Sequence, residues 1–381
     1  MKKTLAAVAV LGAFAGSAFA ADVTMYGRVD AGLLYQRVDA DVAHQAAENS
    51  WGLESGNMTG SRFGIKGSEQ ISDGLTVGFT LENGFKSDTG NFGTSGKLFD
   101  REARLYVATD YGELGVGRMG RILSDAGSYA QRGQFIIGSS WGGMTGGTEV
   151  ITDATSSRLD NMVTYKSPEF AGVTVLAQYG MGSTEDADET DPTSWDQEEN
   201  TATTDRYYGV AAVGKWGALT GMLGFEQTNY ASSNGVESWD EDDSIGVEAS
   251  VAYDFGFVKT ALTGRYFKDG AGYNTISSGY QIERVDGYGV KLAAAAPLLG
   301  GTVQGVVGYM DAESSDTKVE DLEVSRYTVA LTYEYPLSKR TKLYTAASYT
   351  KDDFTNNDVE DGSKDAKPSN TAFMFGMAHY F

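Results

Sequence analysis

Side chains that commonly carry out chemistry are scarce in this chain of 381 residues, which contains two histidines and no cysteine. His44 and His379 lie far apart in the sequence, so a Ser-His-Asp triad or a histidine-rich zinc site has little to be built from. The lack of cysteine excludes disulfides, thiol catalysis and thiolate-bound metals. The sequence therefore predicts that the protein is not an enzyme and that it binds neither a cofactor nor a metal ion.

The GxGxxG pattern of dinucleotide-binding folds occurs at residues 115–120. In those folds the pattern follows a strand and opens a helix, whose amino terminus binds the phosphates. Here it ends a predicted strand and no helix follows, so we interpret it as strand sequence. The formal net charge of −22 also argues against a nucleic acid as a partner.

The amino terminus has the three parts of a secretory signal peptide. Lys2 and Lys3 form a basic start, residues 5–15 are apolar, and residues 18–20 read Ala-Phe-Ala, the small-x-small pattern of a cleavage site. The apolar stretch is shorter than the roughly 20 residues that a helix needs to cross a bilayer. We predict a signal peptide at residues 1–20 and a single mature domain at 21–381; an uncleaved anchor is the alternative.

Most of the mature chain alternates apolar residues with small or polar ones at a period of two, the pattern of half-buried strands. Residues 75–82, 244–254 and 327–335 show this alternation, and their apolar faces are rich in tyrosine toward the ends. A mean hydropathy of −0.29 excludes a bundle of transmembrane helices. It does not exclude a β-barrel, because apolar and polar residues alternate along the strands of a barrel and their hydropathies average out. Tight turns such as Asp73-Gly74 join strands at one end, and long connections join them at the other.

These patterns predict 16 strands, an even number. Their predicted bounds are 23–35, 60–68, 75–85, 98–109, 113–119, 158–166, 172–182, 205–215, 218–229, 244–254, 257–267, 282–295, 301–310, 324–335, 341–350 and 371–381. The fold class that follows is all-β: a 16-stranded antiparallel transmembrane β-barrel with short periplasmic turns and long extracellular loops. A secreted soluble β protein is the alternative, but it would need a second packed core on the small and polar faces.

Four of the long connections carry much of the acidic charge. They are residues 184–205, 231–243, 311–323 and 352–367, which hold 26 acidic residues and 3 lysines, a net charge of −23. Acidic runs between strands are most often solvated loops, and we interpret these segments in that way. Attraction of divalent cations that bridge to anionic lipopolysaccharide is the second interpretation.

The last predicted strand ends in a pattern that resembles the outer-membrane sorting signal. Phe381 is the terminal residue, and His379, Met377 and Phe375 alternate back from it on the same face. The chain is therefore expected in the outer membrane of a Gram-negative bacterium.

Four separated segments carry a family resemblance: residues 22–32 (DVTMYGRVDAG), 61–69 (SRFGIKGSE), 160–172 (DNMVTYKSPEFAG) and 337–341 (LSKRT). In this order they resemble the Gram-negative general diffusion porins, over essentially the whole mature chain. The resemblance implies a homotrimer of water-filled barrels, each narrowed by a third extracellular loop that folds inward. It also implies outer-membrane lipid and lipopolysaccharide as neighbours, and ions and small hydrophilic solutes as cargo.

By the predicted strand bounds, the third long connection is residues 120–157, the longest in the chain. A connection of this length in a compact fold is usually functional or disordered, and a barrel of about 16 strands leaves an aqueous lumen. We therefore assign this loop to a pore constriction, with Asp125 as the best-placed acid by position. The charged residues assigned to it are Asp125, Arg121, Arg132, Glu149 and Asp153. Enterobacterial members carry a Pro-Glu-Phe-Gly-Gly run in this loop, which the present chain lacks.

The resemblance further implies a ladder of basic side chains on the wall that faces the loop. Arg62 and Lys66 fall on the face opposite the apolar residues, and they match the first wall arginine of the family and its neighbour. Arg101 shares its parity with apolar residues and is expected at the rim. The remaining candidates for the basic wall are Arg158, Arg104 and Arg28.

Three classes of function follow from these observations. A general diffusion porin is the preferred prediction, with a mild preference for cations because the acidic loops would enrich them at the mouth. A substrate-specific channel, for example for sugar or anion uptake, would instead show saturable block by one class of solute. A barrel enzyme or adhesin would show no steady pore current.

Overall fold

The computed structural model describes residues 23–41, 46–135, 158–181, 205–230, 243–271, 284–315, 322–356 and 365–381. The predicted signal peptide, His44, Glu149 and Asp153 lie outside these ranges. Nearly all of the described chain is strand, with a 3-10 turn at Arg132–Gln134. Within it, no helix has both the length and the apolar character needed to cross a membrane.

The described residues form 17 β segments. In chain order they are β1 (Thr24–Asp39), β2 (Glu48–Ser55), β3 (Arg62–Ser72), β4 (Leu75–Gly84), β5 (Glu102–Thr109), β6 (Gly112–Gly120), β7 (Arg158–Lys166), β8 (Val173–Met181), β9 (Arg206–Trp216), β10 (Leu219–Asn229), β11 (Ser244–Asp254), β12 (Lys259–Ala271), β13 (Arg284–Leu298), β14 (Gly301–Ser314), β15 (Leu322–Pro336), β16 (Thr341–Asn356) and β17 (Ser369–Tyr380).

The sheet closes on itself into an antiparallel barrel. From β3 onward each strand pairs with the next, and β1 pairs with β17, from Arg28↔Tyr380 to Asp39↔Ser369. On its other edge β1 pairs with β3 at its start and with β2 farther along. Because β2 and β3 share one position in the ring, the 17 segments make the 16-stranded barrel that the alternation predicted.

Several strands extend beyond their predicted bounds at the end with the long connections. Strand β14 continues to Ser314 and β16 to Asn356, so parts of two acidic segments are strand rather than solvated loop. Asp352 shows the physical reason: it is fully buried, and both of its carboxylate oxygens accept hydrogen bonds from Arg326 on β15, at 2.6 and 2.8 Å. A paired carboxylate can remain in a strand where an unpaired one would need water. Strand β2 was not predicted at all.

The two faces of the barrel differ in the way that the alternation predicted. On β11, Val247 and Val251 are exposed on the outside, at 38% and 42%, while Glu248 and Ser250 are buried on the inside. Outward-facing leucines, phenylalanines and tyrosines recur on nearly every strand. An apolar surface of this extent is a membrane-facing surface, since soluble monomers rarely expose patches of more than a few hundred Å².

Short turns occupy one end of the barrel and long connections the other. Two-residue turns follow β3, β5, β9 and β13, and both β1 and β17 have their terminal ends on this same side. Gly74, Gly217 and Gly300 have φ values of 74°, 60° and 80°, a region that residues with a side chain rarely occupy. The alternation of short and long connections follows the prediction.

Asp30, on β1, ties together the seam where the barrel closes. It is fully buried, and its carboxylate accepts the backbone N–H groups of Met58 and Thr59, at 3.1 and 2.9 Å, and the hydroxyl of Tyr344, at 2.6 Å. To reach Asp30, the Tyr344 ring lies across β17 at Gly376. A Cβ atom at Gly376 would lie 2.2 Å from the tyrosine oxygen, so only glycine fits there.

We expect Gly376→Ala to push the Tyr344 ring off the wall and to lower the free energy of unfolding by about 1–3 kcal/mol, the usual cost of an overpacked site. Gly264→Ala on β12 is the matched control, because a Cβ atom there has no neighbour within 4 Å. Urea unfolding in lipid vesicles, followed by tryptophan fluorescence, measures both variants. Equal midpoints for the two would contradict this account of the seam.

Candidate functional site

The connection after β6 turns inward and packs against the inner face of the barrel. Ile122, Leu123, Tyr129 and Phe135 are buried and belong to one apolar cluster with wall residues. The wall contributes Leu159, Met162, Leu176, Tyr207, Ala211, Val213, Met222, Ala252, Ala261 and Ala293. These residues lie on β7 to β13, where they and the inward segment form a small buried core.

Glycines on the wall make room for the inward segment. A Cβ atom at Gly224 would lie 2.4 Å from Leu123 Cδ2, and one at Gly209 would lie 2.8 Å from Ile122 Cγ2. Substitution of either glycine would therefore push residues 121–135 away from the wall.

Buried ion pairs join this segment to β10 and β11. Arg121 Nη2 lies 2.5 Å from Glu226 Oε1, and Arg132 donates to Glu248 Oε2 from Nε, at 2.9 Å, and from Nη2, at 2.8 Å. Arg265 joins the two carboxylates, at 2.5 Å from Glu226 Oε1 and 3.4 Å from Glu248 Oε2. We call these five residues the latch.

The hydroxyl of Tyr207 supports the latch from β9. It donates to Glu226 Oε2 at 3.0 Å and accepts the backbone N–H of Ile122 at 3.2 Å. The Arg121 guanidinium also lies 5.1 Å from the centre of the Tyr207 ring. One wall tyrosine thus contacts the carboxylate, the cation and the backbone of the inward segment.

Arg121 and Arg132, which were assigned to the constriction loop, point away from the lumen. Both side chains are buried against the wall, at 1% and 8% exposure, where they anchor the segment. Their partners Glu226 and Glu248 were not predicted. The sequence could have indicated them in one way: each is a carboxylate in mid-strand on the face that points into the barrel, and a buried carboxylate needs a cation nearby.

Asp125 lies on the opposite, exposed side of the same segment. Its negative charge acts on Arg158, at the start of β7. The assigned acids Glu149 and Asp153 lie outside the described residues. Within residues 121–135, Asp125 is the acidic residue, and its charge acts on an arginine of the wall.

Four arginines from separate elements, Arg28, Arg62, Arg101 and Arg158, form what we call the arginine cluster. Arg62 Nη1 lies 3.4 Å from Glu82 Oε1, and Arg101 Nε lies 2.7 Å from the same oxygen. The charges of Arg28, Arg101 and Arg158 all act on the Arg62 guanidinium. Four arginines whose charges act on one site make this sector basic, and Glu82 pairs with two of them.

Arg101 was expected at the rim and lies instead in the arginine cluster. Strand β5 begins only at Glu102, after a bend at residues 98–101. Arg101 is therefore outside the strand, and the alternation of faces along β5 does not determine where its side chain points. Lys66 lies lower on β3, with its ammonium 5.4 Å from the centre of the Tyr26 ring. Arg28 donates to Thr59 Oγ1.

Arg104 is neutralised within the wall. It lies between the rings of Tyr106 and Tyr129, at 4.5 and 4.7 Å from their centres. Its ion pairs with Glu102 and Glu113 measure 3.1 and 2.9 Å. Burial, with the hydrogen bond to Glu113, raises the pKa of Tyr129, so the hydroxyl remains a donor to Glu113 at 2.6 Å. Arg104 thus fastens the inward segment to β5 and β6.

The proposed sorting residues lie on the outer face of the closing strand. Phe375, Met377 and Phe381 are exposed, and His379 Nδ1 lies 3.0 Å from Thr341 Oγ1. The backbone of Phe381 exchanges two hydrogen bonds with Gly27, at 3.0 and 3.1 Å. Their role in sorting stays a prediction.

Comparison with known proteins gives concordant results. Residues 6–355 match the Gram-negative porin family. An outer membrane porin protein of Bordetella pertussis is 32% identical over 387 aligned positions, which cover 92% of this chain and 94% of that protein. Outer membrane porin protein 32 of Delftia acidovorans is 28% identical, with 100% of both chains covered.

Solved structures share the fold. The anion-selective porin from Comamonas acidovorans superimposes with a TM-score of 0.66 at 24% identity, covering 95% of this chain and all of that one. The trimer form of OmpT of Vibrio cholerae gives a TM-score of 0.58 at 17% identity, covering 95% of this chain and 100% of that one. At these identities the likeness concerns the fold alone.

Thiol labelling tests which side of residues 121–135 faces water, since the chain has no cysteine of its own. Asp125 is exposed and its neighbour Ser124 is 2% exposed. We expect Asp125→Cys to react with a charged methanethiosulfonate at least about tenfold faster than Ser124→Cys, because reaction requires an accessible thiolate. Equal rates would mean that the segment does not pack as described.

Proposed function

Since this chain belongs to the Gram-negative porin family, we propose that its barrel is a general diffusion porin, which passes ions and small hydrophilic solutes without strong selection among them. A diffusion channel in the outer membrane follows from the family, the relatives and the closed 16-stranded barrel. The weak specificity is the proposal.

One observation carries this proposal: three tyrosines of the inner wall and Tyr129 of the inward segment already donate their hydroxyls to carboxylates of the protein. The pairs are Tyr26 with Glu82, Tyr129 with Glu113, Tyr207 with Glu226 and Tyr344 with Asp30. A channel that grips sugars needs free aromatic faces and hydroxyls along its path. Because these hydroxyls already bond to carboxylates, they are not available to bind a sugar. This supports passage of solutes by weak contacts, which fast diffusion requires.

We place the size filter between residues 121–135 and the arginine cluster. The inward segment occupies one side of a lumen that wall side chains alone would leave open. Asp125 on the segment and Arg62 and Arg158 on the wall would then create a field across the passage. The supporting observation is the electrostatic coupling of Asp125 to Arg158.

An anion-preferring channel is the second candidate, and the arginine cluster is the observation that favours it. Arg62 and Arg101 share Glu82 as a partner, and the charges of Arg28 and Arg158 act on the same site, so a passing anion would meet several positive charges close together. The acidic connections, with their net charge of −23, oppose this effect and motivate the expected mild cation preference.

We further propose a homotrimer in contact with outer-membrane lipid and lipopolysaccharide, and no enzymatic activity. The exposed apolar outer face supports a lipid or protein neighbour around the whole barrel. The trimer form of OmpT, a protein with the same fold, supports the stoichiometry. Cleavage after Ala20 to give the domain at 21–381 belongs to the same proposal.

Planar bilayer recording of the refolded mature protein tests the function directly. We expect conductance to arrive in steps with three sublevels, to rise in proportion to KCl concentration, and to show no saturable block by sugars. Folded protein that inserts without any current would exclude a porin. Saturable block by one solute class would favour a specific channel.

We expect Arg62→Ala to shift the reversal potential in a KCl gradient toward cations, because it removes a positive charge from the passage. Arg118→Ala is the matched control: the two side chains are similarly exposed, at 17% and 16%, and each is paired with a carboxylate. Arg118 lies on the lipid-facing parity of β6, so its loss should leave the reversal potential unchanged. Equal shifts in both variants would remove Arg62 from the constriction.

A further inference from the structure

Lysine side chains line the inner wall of the barrel from its middle to the end with the short turns. They belong to separate strands and are Lys66 on β3, Lys166 on β7, Lys215 on β9, Lys259 on β12, Lys291 on β13 and Lys342 on β16. Their direction follows from the period of two along a strand. Lys215 lies two positions after Val213, which belongs to the inner apolar cluster. Lys342 lies two positions before Tyr344, which bonds to Asp30 inside the barrel. The other four alternate with inward-facing residues in the same way.

Acidic residues on the inner face of this half are fewer, and two of them have partners. On the described strands they are Glu113, Asp254 and Glu334. Glu113 pairs with Arg104 at 2.9 Å. Glu334 pairs with Lys342, also at 2.9 Å. Lysines therefore outnumber acids here, and this half of the lumen is positively charged.

The other end of the barrel has the opposite charge. The four acidic connections, with their net charge of −23, all join strand ends on that side. Glu313 and Glu323 lie at the described edge of one connection, where they are exposed and directly opposite each other on β14 and β15. An ion that crosses the barrel thus passes fixed negative charge at one end and fixed positive charge at the other.

We propose that this opposed charge makes the pore a rectifier, which conducts ions better when the extracellular side is positive. The proposal rests on the proposed function as a diffusion pore. Fixed charges enrich their counterions within a Debye length, which is about 10 Å at 0.1 M salt. Potassium ions therefore gather at the acidic end, and chloride ions gather over the lysines.

The polarity of the voltage decides whether these ions fill the pore or leave it. With the extracellular side positive, the field drives potassium from the acidic end and chloride from the lysine end toward each other, so both accumulate in the lumen and the conductance rises. The reverse polarity draws both ions outward and depletes the lumen. Charge of a single sign along the whole pore would enrich one ion at both ends and would give equal currents in the two directions.

Single-channel recording of the refolded mature protein at equal voltages of either sign tests the proposal. We expect the two currents to differ at least about 1.5-fold in 0.1 M KCl and to become nearly equal in 1 M KCl, where the Debye length is only about 3 Å. Equal currents at the lower concentration would overturn the proposal.

Acidification of one chamber identifies the orientation of the channel. At about pH 3 exposed carboxylates are largely protonated while lysines stay charged. Acid should abolish the rectification from one chamber and not from the other, and the larger current should flow when the acid-sensitive chamber is positive at neutral pH. The opposite sign would overturn the proposal.

Replacement of three lysines near the short turns tests the positive end directly. We expect the triple variant Lys166→Gln, Lys215→Gln and Lys259→Gln to bring the current ratio toward 1 in 0.1 M KCl, because it removes much of the charge that gathers chloride. All three side chains are exposed, so the barrel should fold normally, which unchanged conductance in 1 M KCl would show.

The matched control removes three lysines at the acidic end: Lys268→Gln, Lys351→Gln and Lys367→Gln. Lys268 shares the outward parity of Tyr266, and Lys351 that of Tyr349, both of which are exposed tyrosines. The control should keep its rectification, since the lysines inside the lumen are intact. A triple variant that rectifies like wild type, or a control that loses as much rectification, would refute the role of the inner lysines.

The recordings separate this proposal from the pore function on which it rests. Folded wild-type protein that inserts and conducts no current would refute the proposed function. Steady currents of equal size in both directions would leave the pore function intact and refute the rectifier alone.

Discussion

In hydrocarbon, each backbone amide that lacks a partner costs several kcal/mol, and the rest of this structure depends on how the chain avoids that cost. Strands β1 and β17 pair from Arg28↔Tyr380 to Asp39↔Ser369, which leaves the barrel without an edge at the seam. With 16 positions in the ring, the wall encloses more space than its own side chains fill. This internal space forms the channel, and residues 121–135 occupy part of it.

The division gives the inner wall two different sectors. From β7 to β13, small apolar residues and the carboxylates Glu226 and Glu248 receive the inward segment. On the other side lies the arginine cluster, in which Arg62 and Arg101 pair with Glu82. The charged groups on the two sides thus have different contacts: those of the latch join the segment to the wall, and those of the arginine cluster lie close to one another and to Glu82.

The barrel could be predicted from short stretches of sequence, because the alternation of apolar and polar residues that marks a strand involves only neighbouring positions. Strand β11 was predicted at its observed bounds, 244–254. Strand β2 was missed because both of its faces are exposed, so it has no alternation to detect. The alternation of faces along β3 correctly predicted that Arg62 points into the barrel. It failed for Arg101, because the chain bends before β5 begins. Pairing of Arg132 with Glu248 spans 116 residues, and no local pattern encodes such a contact.

The contact between Asp30 on β1 and Tyr344 on β16 joins residues 314 positions apart, on the first strand and the last but one. The ring cannot be completed before the carboxyl-terminal strands have been synthesised, so the growing chain passes through a long stage with open strand edges. Such edges template aggregation in water. A chain truncated before Tyr344 would lack the strands that close the ring and would keep an open strand edge at β1.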